Sequence, residues 1–366
     1  MTAAANIGSI RRTIRKTARV LHITAAAVYC AGFFLQCLNW SPSVPGMASL
    51  GAEVRDITRI VAMVLLLEQF NVSPRRGWTA LGILAVNVGF FWYRGYWGPT
   101  DLFFFWGLSD SEDENAMKNT LLGLYLAFSA CAGILLWTGA VVDHEEVFLY
   151  RVGHSFGFVH PNMLGMFLVS LVVVLRLTVL KNNRVFIAAC LGAAAFAWFG
   201  PASRTAVLLL LLYPVLALGL DWFQRKGKHG PVRAFRFLPA AVAAVCIGLS
   251  ALIAAGVLSW ETLQRIDPNS MMRFVHPAEV IRDRGISLLG GSLPPGIPFE
   301  NTYLYVLLRF GVFWAAAWIA FLTAVMCRQV KAEKAEYIAA FALVILQGVM
   351  ENTVLIPLFN VIPLFT

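Results

Sequence analysis

Long apolar runs recur through almost the whole of this 366-residue chain, and they leave few folds open to it. A run of about 17–25 apolar residues is long enough to cross the hydrocarbon core of a bilayer as a helix. Only 13% of the residues are charged and 59% are hydrophobic, whereas a soluble domain carries about 25% charged residues. The sequence therefore predicts an all-α, polytopic integral membrane protein, with one transmembrane domain over residues 1–366.

The apolar runs divide into eleven predicted spans, and the C-terminal residues form a possible short twelfth. The predicted spans cover residues 20–39, 54–71, 78–94, 98–108, 118–140, 158–179, 185–199, 204–221, 237–258, 302–326 and 337–350. The longest stretch that is not apolar is 259–301, which we expect to form a long loop between spans 9 and 10. The first residues lack an apolar stretch followed by a small-residue cleavage site, so we expect no cleaved signal peptide.

The lysines indicate how these spans are oriented. If the N-terminus is cytoplasmic, every lysine falls on the cytoplasmic side: Lys16, Lys118, Lys181, Lys226, Lys228, Lys331 and Lys334. This distribution follows the positive-inside rule. We therefore expect a protein of the cytoplasmic (inner) membrane with a cytoplasmic N-terminus and an external 259–301 loop. The same bias accounts for the net charge of +9, so we expect membrane lipid as a partner and no nucleic acid.

The arginines are distributed differently from the lysines. Eight of them fall on the outer side or at outer span ends: Arg55, Arg59, Arg151, Arg204, Arg265, Arg273, Arg282 and Arg284. A guanidinium binds phosphate through two parallel hydrogen bonds, which an ammonium group cannot do. Two explanations stay open, a phosphate-containing ligand on the outer side or ordinary contacts with loops and lipid headgroups.

Three predicted spans begin on the outer side with polar residues, and helix N-termini favour anions. These residues are His160 and Asn162 at span 6, Ser203 and Arg204 at span 8, and Glu300 and Asn301 at span 10. Together they predict an outward-facing pocket for an anionic ligand. Structural alternatives also stay open, since His160, Asn162 and Asn301 could cap helices and Glu300 could complement a helix dipole.

The cysteines and histidines indicate no metal site. All six cysteines lie inside apolar runs, where a free cysteine packs as a small apolar residue. No set of His, Cys, Asp or Glu has a metal-ligand spacing that we recognise, and no nucleotide-binding loop is present in the sequence. We therefore expect neither a metal nor a cofactor.

Four segments in order resemble a known family. The segment RVGHSFGFVHPNMLG, residues 151–165, is similar to the R-x-x-x-SFGF-x-HPN-x-x-G signature of bacterial polysaccharide repeat-unit polymerases of the Wzy type. The segments GPASRTAVLLLLL, SMMRFVHPAEVIRDRGISLLGGSL and FENTYLYVLLRFG resemble the later motifs of that family. Glu351 and Asn360 suit its closing Glu and Asn. The resemblance covers about residues 150–366, while spans 1 to 5 match in hydropathy alone.

This resemblance implies a polytopic, GT-C-like glycosyltransferase related to the O-antigen ligases. It would use polyprenyl-diphosphate-linked oligosaccharides on the outer face of the bacterial cytoplasmic membrane, without a metal, beside other polysaccharide assembly proteins. The expected catalytic residues are Glu300, His160, Arg204 and Arg273. The expected substrate-binding residues are Arg151, Asn162, Ser203, Asn301, Tyr303 and Glu351. The chain departs from the family at Glu300, where many members have a histidine, so the proton acceptor stays open between Glu300 and His160.

Two other functions compete with the polymerase. A ligase of the same fold would transfer finished glycan to a lipid or protein acceptor. A transporter of lipid-linked glycan would favour repeated halves and helices broken at the membrane midplane. We find no convincing internal repeat, and the polar residues gather at the predicted outer edge, which favours an enzyme.

Overall fold

The computed structural model of the protein describes residues 2–71, 73–94, 101, 105, 107, 114–148, 151–259, 268–293, 299–361 and 363. These residues form the α-helices α1 Thr2–Cys37, α2 Met47–Leu66, α3 Pro74–Arg94, α4 Glu114–Trp137, α5 Pro161–Thr178, α6 Asn183–Phe199, α7 Arg204–Arg225, α8 His229–Ala234, α9 Leu238–Ala254, α10 Pro268–Arg284, α11 Thr302–Phe310, α12 Val312–Lys331 and α13 Ala335–Met350. Short 3-10 helices cover Leu67–Asn71, Phe235–Phe237 and Asn352–Leu355. One hairpin joins strands β1 Glu145–Phe148 and β2 Arg151–His154.

Within the described ranges, six helical stretches are long and apolar enough to cross a membrane. They are Lys16–Cys37, Glu114–Trp137, Pro161–Thr178, Arg204–Arg225, His229–Ala254 and Val312–Lys331. Two further apolar helices, α6 and α13, are shorter. These helices confirm the prediction of an all-α protein with several membrane-spanning segments.

Six candidate spans are fewer than the eleven or twelve predicted. The helices α2 and α3 form close to the predicted positions, but they are not among the six. Of the predicted span 98–108, only residues 101, 105 and 107 lie within the described part of the chain. The end of the chain, where a twelfth span was possible, begins with a 3-10 helix at Asn352–Leu355 instead of a long α-helix.

Contacts within the chain group the residues into two compact units. Unit 1 consists of Met1–Val179, Phe196–Ser203 and Ile356–Thr366, and unit 2 consists of Leu180–Ala195 and Arg204–Leu355.

In unit 1, α1 and α2 pack closely because each presents a glycine to the other. A Cβ atom on Gly51 would lie 2.6 Å from the carbonyl oxygen of Gly32. Small residues of this kind let two helix backbones approach in a membrane, where apolar side chains gain little by leaving lipid. Helices α4 and α5 add Tyr125 and Phe167, whose ring centroids are 5.1 Å apart.

A hairpin in unit 1 lies between the predicted spans 118–140 and 158–179. Strands β1 and β2 are antiparallel, and Glu145 lies directly opposite His154. After β2 the chain turns through Phe156 and Gly157, which both have positive φ angles, and α5 then begins at Pro161. The hairpin therefore leads directly to the start of α5.

Helix α13 forms the core of unit 2. It packs against α7, α9, α11 and α12, and 12 of its 16 residues are buried. A helix that is apolar on all sides is expected to be surrounded by protein or lipid. Here its neighbours are the other helices of unit 2.

Two corrections concern the region before α13. The predicted external loop 259–301 contains the 17-residue helix α10, while residues 260–267 and 294–298 lie outside the described part of the chain. The predicted span 302–326 is broken at Gly311 into α11 and α12. Gly311 has a φ of 98°, which a helix cannot contain and which an L side chain rarely adopts.

Candidate functional site

A charged cluster lies in unit 2 beside the start of α11. Its centre is Arg273 on α10, whose Nε donates to Oε2 of Glu300 in a close ion pair. The Nη2 atom of Arg273 lies 3.9 Å from Oε1 of Glu351. One guanidinium therefore faces two carboxyl groups that come from different segments of the chain.

Hydrogen bonds from side chains to the backbone hold both glutamates in place. The side-chain amide of Asn352 donates to the carbonyl of Phe299 at 2.8 Å, and the hydroxyl of Thr302 donates to the carbonyl of Glu351 at 2.6 Å. The side-chain amide of Asn301 donates to the carbonyl of Val349 at 3.0 Å. Residues 299–302 are thus hydrogen-bonded to residues 349–352, so the positions of Glu300 and Glu351 depend on each other.

The two glutamates differ in their exposure to solvent. The side chain of Glu300 is 48% exposed, that of Arg273 is 15% exposed, and that of Glu351 is 8% exposed. Oε1 of Glu351 is buried and accepts no hydrogen bond from the described residues. Glu300 is therefore the carboxylate that an incoming molecule can reach.

The pKa of the Glu351 carboxyl is raised from 4.5 to about 8. The largest cause is burial, which disfavours the charged form; the attraction of Arg273 opposes it, and repulsion from Glu300 adds to it. At neutral pH the cluster thus contains a cationic Arg273 beside a protonated Glu351.

The structure places Asn301 and Tyr303 inside unit 2. Asn301 caps α11 by accepting a hydrogen bond from the Leu304 amide at 3.1 Å, so the capping alternative is present here. The hydroxyl of Tyr303 donates to the carbonyl of Ile345 at 2.9 Å. Both side chains are fully or almost fully buried, and they position the start of α11 against α13. Glu300 precedes Asn301, the N-cap of α11, so Glu300 lies before the first turn of that helix and not within it.

Arg204 is the first residue of α7 in unit 2, and its side chain is exposed. This position agrees with the predicted start of span 8. Ser203 belongs to unit 1 and is buried, and its amide donates to the carbonyl of Ala197 at 3.0 Å.

Unit 1 contains the other predicted site residues. His160 is the N-cap of α5, since its Nδ1 accepts from the Asn162 amide at 3.0 Å. Its Nε2 lies 2.7 Å from Oε2 of Glu146 on β1. Asn162 is in the first turn of α5 and partly buried. Arg151 begins β2, opposite Phe148. The imidazole of His160 is therefore engaged on both nitrogen atoms in this structure.

Sequence reasoning missed a second group in unit 1. Asp143, Glu145 and His154 each present a ligand atom, and these atoms lie within 4.8 Å of one another. The spacing of Asp143 and Glu145, two residues apart just before and at the start of β1, could have indicated it, because residues two apart in an extended chain share a face. The pairing with His154 depends on the hairpin, which was not predicted.

No family model matches the chain, and neither a curated protein nor a solved structure matches it.

Proposed function

We propose that this protein is a polysaccharide polymerase of the bacterial cytoplasmic membrane. In this proposal it joins polyprenyl-diphosphate-linked oligosaccharide repeat units on the outer face. The observation that carries the proposal is the placement of Arg273 between an exposed Glu300 and a buried Glu351, in a chain with several membrane-spanning helices. A cation and a reachable carboxylate are the two groups that this transfer needs.

The reaction exchanges one bond to the anomeric carbon for another. The acceptor hydroxyl oxygen forms a bond to C1 of the donor sugar, and the bond between C1 and the diphosphate oxygen breaks. The bonding electrons leave with the polyprenyl diphosphate, and the hydroxyl proton passes to a base. A fixed guanidinium stabilises the negative charge that develops on the leaving group, and its hydrogen bonds to phosphate are of the strong, charge-assisted kind.

Arg273 and Glu300 divide these tasks. Arg273 binds the diphosphate, which replaces Glu300 as the partner of the guanidinium. Glu300 is then released to accept the proton of the acceptor hydroxyl, the role of a general base. This exchange explains why the two side chains are paired before substrate binds.

Glu351 has a different role in the proposal. Because its pKa is raised to about 8, it is protonated at neutral pH and adds no negative charge next to the diphosphate. Arg204 adds a second cation at the N-terminus of α7, where the helix dipole has the same sign. Asn301 and Tyr303 support the cluster by holding the start of α11 against α13.

The break at Gly311 is an observation that favours a second candidate, a transporter. Transporters use broken helices because the freed backbone groups coordinate ions or substrate. Here the freed groups have partners. The amides of Val312 and Phe313 donate to Ser287 and Leu288 at 3.1 and 3.2 Å. The carbonyls of Leu308 and Arg309 accept from Leu293 and Gly291, both at 3.2 Å. The backbone groups freed by the break are therefore hydrogen-bonded within the protein instead of being open to an ion or substrate. For this reason we prefer the enzyme.

The test is a deletion of the gene in its bacterial host, followed by extraction and sizing of the lipid-linked and surface glycans. We expect single repeat units on the polyprenyl carrier, and full-length polymer after complementation with the wild-type gene. Full-length polymer that stays unattached to its final acceptor would instead assign a ligase. Lipid-linked units trapped on the cytoplasmic face would assign a transporter. Unchanged glycan would contradict all three.

A further inference from the structure

The hairpin of unit 1 gathers three metal-ligating side chains on one face. Glu145 and His154 are directly opposed in the antiparallel register, so their side chains point the same way. Asp143 precedes Glu145 by two residues. The Nδ1 atom of His154 lies 2.7 Å from Oδ2 of Asp143 and 3.8 Å from Oε1 of Glu145. From these contacts we propose that Asp143, Glu145 and His154 bind one divalent transition-metal ion such as Zn²⁺.

The distances between the ligand atoms suit such an ion. Ligand atoms bound tetrahedrally to Zn²⁺ at about 2.1 Å lie about 3.4 Å from one another. The two distances from His154 Nδ1, 2.7 and 3.8 Å, lie on either side of that value. Small side-chain rotations therefore make room for the ion at the centre of the triad. Three protein ligands leave a fourth position for water.

Neighbouring groups already orient the Asp143 carboxylate. Its Oδ1 atom accepts hydrogen bonds from the Phe156 amide at 2.7 Å and the Ser155 hydroxyl at 3.2 Å. Oδ2 is thereby turned towards His154. Metal-binding carboxylates commonly have this arrangement, in which one oxygen is held by the protein and the other faces the metal.

The ligand types select among metals. Imidazole suits Zn²⁺, Cu²⁺ and Ni²⁺, whereas Mg²⁺ and Ca²⁺ prefer shells made of oxygen atoms. An imidazole with two carboxylates is therefore expected to prefer Zn²⁺ over Mg²⁺. The proposed transfer reaction needs no ion, so this proposal stands apart from the proposed function.

The ion would stabilise the hairpin against the start of α5. Glu146 follows Glu145 on β1, and its side chain is on the opposite face of the strand. Its Oε2 atom lies 2.7 Å from Nε2 of His160, the N-cap of α5. A metal ion on one face of the hairpin thus fixes the strand whose other face holds the cap of α5.

The test measures Zn²⁺ binding to the purified full-length protein in detergent, carrying an affinity tag without histidines. Competition with a chromophoric chelator gives the affinity, and elemental analysis after gel filtration gives the number of ions per chain. We expect one Zn²⁺ per chain and a higher unfolding temperature when Zn²⁺ is added. Each of Asp143→Asn, Glu145→Gln and His154→Ala should weaken binding by at least about 10-fold, since each removes a direct ligand.

The matched control is His229→Ala. His229 also pairs with a carboxylate, Glu333 at 3.2 Å, but it belongs to no group of three ligands in the described residues. Its replacement should leave Zn²⁺ binding unchanged. Glu145→Gln tests ligand loss without unfolding the protein, because the Glu145 side chain is largely exposed and glutamine has the same shape. The proposal is overturned if wild-type protein binds no Zn²⁺, or if Glu145→Gln and His154→Ala bind it as wild type does.

Discussion

Gly290 and Gly311 lie backbone to backbone, so close that a Cβ atom on Gly311 would be 2.3 Å from the amide nitrogen of Gly290. Both residues have positive φ angles, 82° and 98°. Their contact lets residues 287–293 run alongside the break between α11 and α12 and supply partners for the freed backbone groups. Unpaired backbone groups are costly within a membrane, so this segment is part of the structure of the broken helix.

We expect Gly311→Ala to destabilise unit 2. Gly311 has φ 98° and ψ 173°, a conformation that is essentially restricted to glycine, so an alanine there costs about 1–3 kcal/mol. Forcing a methyl group against the backbone of Gly290 and Leu288 adds about 1–3 kcal/mol. The measurement is the temperature at which half of the purified protein leaves the monodisperse gel-filtration peak. A clear decrease is expected for this variant.

Gly219→Ala is the control for this substitution. Gly219 lies within α7 and has no heavy atom within 4 Å of the position a Cβ would take. Alanine is a better helix former than glycine by about 1 kcal/mol, so stability should be unchanged or slightly increased. Equal stability of the two variants would contradict the role of the Gly290–Gly311 contact.

The sequence could predict features that depend on local composition. The apolar runs at 118–140 and 204–221 became the helices Glu114–Trp137 and Arg204–Arg225. The positions of His160 and Asn301 before α5 and α11 were also predicted, since helix starts favour side chains that accept backbone hydrogen bonds.

Features that depend on distant contacts could not be predicted. The break at Gly311 falls inside a continuous apolar run, and hydropathy alone cannot distinguish a bent run from a straight helix. The pairing of Arg273 with Glu351 depends on how α10 and the end of α13 pack. The hairpin at Glu145–His154 is polar and short, so it resembled a loop. In each case the deciding partner lies outside the local segment.

The lysine distribution predicts that Lys228 is cytoplasmic and that α10 is external. Single cysteines placed at Lys228 and at Glu279 on α10, both exposed, test this in a variant without native cysteines. An impermeant thiol reagent added to intact cells should label position 279 and leave position 228 unlabelled. Labelling of position 228 from outside would reverse the orientation of unit 2 and place the Arg273 cluster on the cytoplasmic side.

The raised pKa of Glu351 predicts a pH-dependent stability. Glu351 is protonated in the folded protein up to about pH 8, while in the unfolded chain it ionises near 4.5. The contribution of Glu351 to the free energy of unfolding is therefore complete below pH 4.5 and decreases as the pH rises towards 8. Glu351→Gln cannot ionise and lacks this decrease. Relative to wild type, the unfolding temperature of Glu351→Gln should rise between pH 5 and pH 8. A constant difference over that range would show that Glu351 ionises normally.

The same pKa predicts that the two glutamates respond differently to the same substitution. At pH 7, Glu351→Gln replaces a neutral acid with a neutral amide that can still donate a hydrogen bond, so polymerisation should stay within a few-fold of wild type. Glu300→Gln removes the proposed base, which typically contributes about 10²–10⁴ to a rate. The assay is the complemented deletion strain, with polymer length and amount measured after confirming equal protein levels. Equal losses for both variants would contradict the division of roles.

Arg273→Lys tests the proposed diphosphate contact most directly. A lysine keeps the positive charge but has neither the planar fork nor the reach to replace a bidentate contact with phosphate. Removing one preorganised donor at a developing charge costs about 10²–10³ in rate, so most polymerisation should be lost. Arg204→Lys should also reduce polymerisation.

The matched control for Arg273→Lys is Arg282→Lys, which is also on α10. Arg282 is 63% exposed and pairs only with its neighbour Asp283 in the described structure. If Arg273→Lys polymerises like Arg282→Lys at equal protein levels, Arg273 does not bind the diphosphate, and the ion pair with Glu300 is structural.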